Sequence, residues 1–315
     1  MRKVFNILLA IMMVVFCAFT FTACKQTDDT LNKEKGLLIK KIDEIYTIYD
    51  FIDDGSFKGT LDIGAILTEK GLDNVTIKKG AFDGVDSITK LIVSDKVTEI
   101  EEGAFRKMKN LADLELPFIG KNAIADATFS QTDAQVNKSV DKERTIAHLF
   151  GTESYQGGAE IASAYGTVYL PESLRTITIN ATEKVSYGVE GQKEAGYAIP
   201  YQAFQGATIL RKVNLRGVNL IEIGEEAFSG CTNLTSITIP ETVKTIHKNA
   251  FYDCINLSKV NSTDEMSVNF SGIKAQIKEG AFDFGKSEVK YNVLNAGTYK
   301  EQLATIFGET EFQVK

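Results

Sequence analysis

The chain has 315 residues, 43% of them apolar, and a formal net charge of -7; it is long enough for a large core, and these numbers alone do not choose between one domain and two. Loss of a leader carrying Arg2 and Lys3 takes the charge to -9, which argues against a ligand held through nucleic-acid phosphates. Of four cysteines, Cys17 and Cys24 lie near the N-terminus, so no disulfide framework staples a small fold.

Residues 1–24 begin with Arg2 and Lys3, continue as an apolar run to Phe21, and end Thr22-Ala23-Cys24. That order reads as an export signal. The run Phe21-Thr22-Ala23-Cys24 resembles a bacterial lipobox, which implies that Cys24 receives a diacylglyceryl group and becomes the mature N-terminus; Phe21 stands where Leu is usual. Cleavage near Ala23 or an uncleaved span are the alternatives, and each still places the body outside the cytoplasmic membrane. Cys17, inside the apolar run, reads as a small hydrophobe. Residues 25–35 are polar and suit a linker. Leu38, Ile42, Ile45, Tyr49 and Ile52 then recur at three- and four-residue spacing, which predicts an amphipathic helix over 36–53 within an N-terminal helical cap at 36–72.

A six-residue element, Ile-x-x-x-(Ala/Thr)-Phe, recurs seven times and ends at Phe82, Phe105, Phe129, Phe204, Phe228, Phe251 and Phe282. It alternates with apolar-x-x-apolar-x-apolar, seen at Ile88/Leu91/Val93, Leu111/Leu114/Leu116, Leu174/Ile177/Ile179, Leu210/Val213/Leu215 and Leu234/Ile237/Ile239. At five places the second element starts six residues after the Phe, so one unit is 23 or 24 residues. This period predicts a mainly β repeat solenoid over 73–285, in which each inward side chain lies over its counterpart in the next coil. The seven phenylalanines are the expected structural anchors.

The run IGEEAFSGCTNLTSITIPETVKTIHKNAFYDCINL at 223–257 resembles the units of BspA-like leucine-rich-repeat proteins of bacterial surfaces. The resemblance covers roughly 75–285, and LPFIGKN (116–122), HLFGTESYQGG (148–158) and VYLPESLRTITI (168–179) resemble an interruption that members share. It implies leucine-rich-repeat coils, display at the cell surface, and adhesion to host matrix proteins such as fibronectin and fibrinogen or contact between bacteria. No residue of this chain maps onto a known binding site of the family.

The repeat is interrupted after Phe129, where the next second element starts only at Leu174. A long insertion at 131–170 is expected to emerge as a corner loop, with shorter ones at 181–195 and 261–272. Within the long one, Phe150, Tyr155, Tyr165 and Tyr169 are the candidate ligand-binding residues; packing as a miniature cap is the competing reading, and burial of large aromatics favours it. Beyond Phe282 a strand at 289–294, a short helix at 298–307 and a last strand with Phe312 and Val314 suggest a small α+β cap at 286–315.

Chemistry is sparse. His148 and His247 have no Cys or His partner at metal-ligand spacing, so no metal or cofactor is expected. His247 reads as an exposed repeat substitution, and His148 as bonded to solvent or a backbone carbonyl. Cys231 and Cys254 are one repeat apart, close enough for a disulfide; a buried reduced pair is the favoured reading. Asp50, Asp53 and Asp54 lack the spacing of a calcium loop and read as a helix end. Glu101, Glu102, Glu225 and Glu226 read as solvated surface. Two functions remain: a lipid-anchored extracellular binding protein, not an enzyme, whose partner is a protein or glycan; or a surface lipoprotein that captures carbohydrate or another nutrient.

Overall fold

The computed structural model describes residues 36–42, 44–55, 57–123, 142–182, 196–262, 267–269, 275–283 and 292–294. Their organising feature is a parallel sheet formed by one strand from each turn of the chain. The strands are β1 (Leu37–Ile42), β2 (Ile45–Phe51), β3 (Gly59–Asp62), β4 (Val75–Ile77), β5 (Ile88–Ile92), β6 (Val97–Ile100) and β7 (Asp113–Leu116). After the interruption come β8 (Gly158–Ser163), β9 (Gly166–Pro171), β10 (Thr176–Asn180), β11 (Tyr197–Ile199), β12 (Lys212–Arg216), β13 (Leu220–Ile223), β14 (Ser236–Thr238) and β15 (Thr245–Ile246). The last four are β16 (Lys259–Val260), β17 (Ser267–Asn269), β18 (Gln276–Ile277) and β19 (Asn292–Leu294). One wall is a nine-stranded sheet in the order β19-β17-β16-β14-β12-β10-β7-β5-β3; the other is split into β1-β2-β4-β6 and β11-β13-β15-β18.

The repeat phase becomes register. Leu91, Leu114, Ile177, Val213, Ile237 and Val260 pair rung to rung on the first wall. Ile48, Ile77 and Ile100, then Ile199, Ile223, Ile246 and Ile277, do so on the second. Between the walls runs a ladder of phenyl rings. Phe204, Phe228, Phe251 and Phe282 stack at 5.0 to 5.3 Å with interplanar angles of 14° or less. The alanine before each of these rings is buried. Two residues before the ring the backbone is left-handed, at Gly80, Gly103, Gln202, Glu226, Asn249 and Gly280. Glycine or asparagine suits that slot sterically.

The N-terminal segment is a hairpin, not the expected helix over 36–53. β1 and β2 pair antiparallel, and Glu44 in their turn has φ 69°. Ile, Tyr and Thr crowd this stretch and suit a pleated surface, and β2 extends the sheet by pairing with β4. The side chains buried are Leu37, Ile39, Thr47, Ile48 and Phe51, whereas Ile45, Tyr49 and Ile52 of the supposed helical stripe are exposed. Phe51 stacks on Phe82 at 5.9 Å and so continues the ring ladder. The cap does hold one helix, α1 (Ile63–Glu69), whose N-cap Asp62 accepts the Ala65 amide. This is the side-chain cap such a terminus requires.

The interruption is built into the coil rather than looped out. The expected anchor Phe129 lies outside the described residues; the ring next to Phe105 is Phe150, at 6.2 Å. It stands at the end of α2 (Ile146–Phe150), preceded by a 3-10 turn at Lys142–Arg144. The Phe105 amide donates to Leu149 as the Phe82 amide donates to Ala104 and that of Phe204 to Ala227, so 149–150 fills the Ala-Phe slot. β8 and β9 form an antiparallel hairpin with Ile161, Val168 and Leu170 buried. A Cβ at Gly206 would meet Ala162 O at 2.4 Å, so the hairpin lies directly against the next corner. In the split second wall, Tyr197 is buried and its Oη accepts the Ile119 amide at 2.8 Å.

Further along, β17 turns part of the expected 261–272 loop into an extra rung beside β16. Most of the 181–195 insertion lies outside the described residues. Of the C-terminal cap, β19 falls within the predicted strand and pairs with β17; the expected helix at 298–307 and the strand at Phe312 and Val314 lie outside the described residues.

Truncation of a ladder ring leaves a cavity between two fixed coils, so Phe228→Ala is expected to lose about 3–5 kcal/mol. Phe150→Ala should lose a similar amount in chemical denaturation. A near-zero loss would show that Phe150 is not the ring that bridges the interruption.

Candidate binding face

Because inward residues of the nine-stranded wall are apolar, the residues between them point to the other face. Across six rungs that face carries Lys90, Asp113, Thr176, Lys212, Ser236 and Lys259 in one row. The next row is Ile92, Glu115, Thr178, Asn214 and Thr238. Some of these polar groups hold one another: Glu115 accepts from Asn180 Nδ2 at 3.3 Å and Arg216 at 2.8 Å, and Asn214 Nδ2 donates to Thr178 Oγ1 at 3.3 Å. Arg211 and Lys212 are exposed and make no ion pair among the described residues. The result is a broad, mostly polar surface whose side chains are partly held by one another.

The four aromatic candidates do not share one environment. Phe150 is 1% exposed in the ring ladder, so it presents no face to a ligand. Tyr155, Tyr165 and Tyr169 are half-buried. The Tyr155 ring covers Gly158, where a Cβ would lie 2.7 Å from it, and burial pushes its hydroxyl above its usual range. Tyr169 Oη is 3.5 Å from Glu160 across the hairpin, and the Tyr165 amide donates to Ser163.

Along the corners, charges pair between coils: Lys78 with Glu101 at 2.8 Å, Lys96 with Asp73 at 3.1 Å, and Arg106 with Asp83 at 2.6 Å. Glu101 and Glu102 are thus ion-pair partners rather than merely solvated groups, Glu102 bonding Lys142, which holds its carboxyl below the usual range. Glu226 accepts from Gln202 and Gln205. A shallow cleft at Arg106, Glu102 and Gly151 is neutralised in the same way, because Glu153 bonds both Arg106 and Lys107. His247 is not exposed: its Nε2 lies 3.0 Å from Glu222, itself buried. Without the helix there is no helix end at Asp50, Asp53 and Asp54; Asp53 instead accepts the Gly55 amide in a turn. No group of three or more His, Cys, Asp or Glu side chains able to hold a metal occurs among the described residues.

The buried titratable groups are structural. Cys231 and Cys254 are free thiols that donate to Phe204 O and Phe228 O, each at 3.1 Å. Burial pushes the Cys231 thiol up to about 12 and that of Cys254 well above its usual value. Their slot, three residues after the ring, is filled elsewhere by buried Val85, Met108 and Ala207. His148 is buried with Nε2 2.8 Å from Ile100 O, so Nε2 must carry a proton and donate. Burial lowers its pKa below 6.5.

Two outcomes follow. A neutral imidazole in the fold means that stability is full above pH 6.5 and falls as acid protonates the unfolded chain first. His148→Gln, which can still donate to Ile100 O, should flatten that acid-side loss in denaturation midpoints taken from pH 7.5 to 5. A thiol reagent should leave Cys231 and Cys254 unmodified in the native chain and label both in denaturant, since the thiolate is the reactive form; rapid native labelling would contradict their burial.

No curated protein matches the chain. Among solved structures it is similar to a leucine-rich-repeat protein of T. pallidum, at 16% identity and TM-score 0.31, over 90% of this chain and 97% of that one. A leucine-rich-repeat protein of Bacteroides ovatus gives 15% and 0.24, over 90% and 96%; one of Eubacterium ventriosum gives 16% and 0.21, over 82% and 95%. The model of the BspA type leucine rich repeat region matches residues 42–148 and 196–287 in six copies. Those residues contain most of the rungs, the repeat rings at Phe82, Phe105, Phe204, Phe228, Phe251 and Phe282, and their left-handed corners, and the chain belongs to the BspA-type leucine-rich-repeat family.

Proposed function

We propose that the protein is a lipid-anchored extracellular binding scaffold that recognises a host-matrix or cell-surface macromolecule through the outer face of its nine-stranded wall, with the β8–β9 hairpin beside it. The observation that carries this reading is the polar row from Lys90 to Lys259, continuous across six rungs. A surface of this breadth, held by a stacked core, suits an extended partner better than a small molecule, which needs a concave pocket. The sequence of residues 1–24 supports export, with Cys24 as the lipidation site and the body held outside the cytoplasmic membrane.

Deletion of 131–170 is a poor test, because it removes Phe150 and α2 from the core. Charge reversal on the face is better. Arg211→Glu with Lys212→Glu leaves every buried residue in place and should weaken saturable binding to immobilised fibronectin or fibrinogen by about tenfold or more, equivalent to about 1.4 kcal/mol. Binding unchanged by the reversal, with the native circular dichroism spectrum retained, would remove the sheet face from the reading.

A further inference from the structure

Among the described residues five large apolar side chains are exposed, and three of them, Ile45, Tyr49 and Ile52, lie in β2 and just beyond it. They share the outward side of the hairpin. Ile48 and Phe51 face the core, while the β1–β2 register shifts at Leu38/Ile39, opposite Tyr49. Lys40 Nζ stands 5.0 Å from the Tyr49 ring centroid and Lys41 Nζ 5.6 Å from that of Tyr46. The Ile52 amide donates to Gly36 O at 2.7 Å, so the chain enters the fold beside this patch. Gly36 is twelve residues after Cys24, a stretch that spans at most about 40 Å when extended.

We propose that this hairpin face is a membrane-contacting foot: with the chain tethered through Cys24, Ile45, Tyr49 and Ile52 rest in the headgroup region of the bilayer and fix how the solenoid stands on it. This inference rests on the lipoprotein reading above. Tyrosine rings and lysine heads on apolar stems suit the boundary between lipid and water. Three side chains would hold a free protein poorly, but a short tether makes the contact intramolecular and raises its effective concentration. The contact is apolar rather than electrostatic, because Lys41 is already paired with Glu44 and the same segment exposes Asp50, Asp53 and Asp54. Lysines on the edge strand β1 also disfavour pairing with a second copy there.

The chain has no tryptophan, so one introduced indole reports cleanly. In the chain starting at Cys24, Cys231 and Cys254 are buried, and Cys24 can be coupled to a maleimide lipid in phosphatidylcholine vesicles, independently of cellular lipidation. The Ile52→Trp indole should shift its emission to shorter wavelength on coupling and be quenched by brominated phosphatidylcholine. The Val218→Trp indole, at another exposed apolar position, should do neither, and adding phosphatidylglycerol should change little. Equal behaviour of the two indoles overturns the foot, as does an Ile52→Trp emission already shifted before vesicles are added, which would mean that the chain itself or a second copy covers the patch. The mass of the N-terminal peptide from cells is read separately; an unmodified Cys24 removes the lipoprotein reading, whatever the vesicles report.

Discussion

Rungs of a parallel sheet lie about 4.8 Å apart, and that spacing places side chains of equal phase in contact. Everything else in the protein follows from satisfying it turn after turn. An isoleucine must sit over an isoleucine and a ring over a ring, which is why Phe204, Phe228, Phe251 and Phe282 stack nearly flat. The corners then have little freedom. A buried alanine precedes each repeat ring, and the residue before it turns left-handed so that the chain can reverse within a few residues. No coil has a core of its own, so stability belongs to the contacts between coils.

The same constraint accounts for how the interruption is handled. A stack that loses a rung leaves its neighbours' apolar edges in water, so the chain supplies substitutes. Phe150 replaces a repeat ring, the β8–β9 hairpin closes against Gly206, and Tyr197 satisfies the Ile119 amide across the break in the second wall. The first wall continues without a gap, β10 pairing directly with β7. The face assigned to binding is therefore continuous even where the corners are not. Polar side chains are placed by the same geometry, since residues one repeat apart become neighbours and pair as Lys78 does with Glu101 and His247 with Glu222.

Both ends of the first coil depart from the repeat. The hairpin β1–β2 continues the second wall with an antiparallel strand, which blunts the open edge and lets Phe51 begin the ring ladder. Its outward side carries three of the five large apolar side chains exposed among the described residues, and it lies where the chain enters the fold at Gly36. A binding face along one wall and a foot at the first rung of the other would give one molecule a fixed orientation between membrane and partner.

The sequence by itself determined the coil: the Ile and Phe spacing names the inward residues, because a repeat of 23 or 24 residues brings equal phases into line whatever the details of each strand. Its one-repeat spacing of Cys231 and Cys254 also favoured a buried reduced pair, as found. Tertiary structure alone decided three matters. The stretch 36–53 has apolar spacing compatible with a helix, and only the unpaired edge of β4 makes it a strand. Ile124–x–x–x–Thr–Phe129 matches the repeat in phase, yet the slot beside Phe105 is taken by Phe150, from a segment that lacks the element. His247 and the glutamates looked solvated one residue at a time; their partners lie a coil away, where only the stacking of one turn on the next brings them within reach.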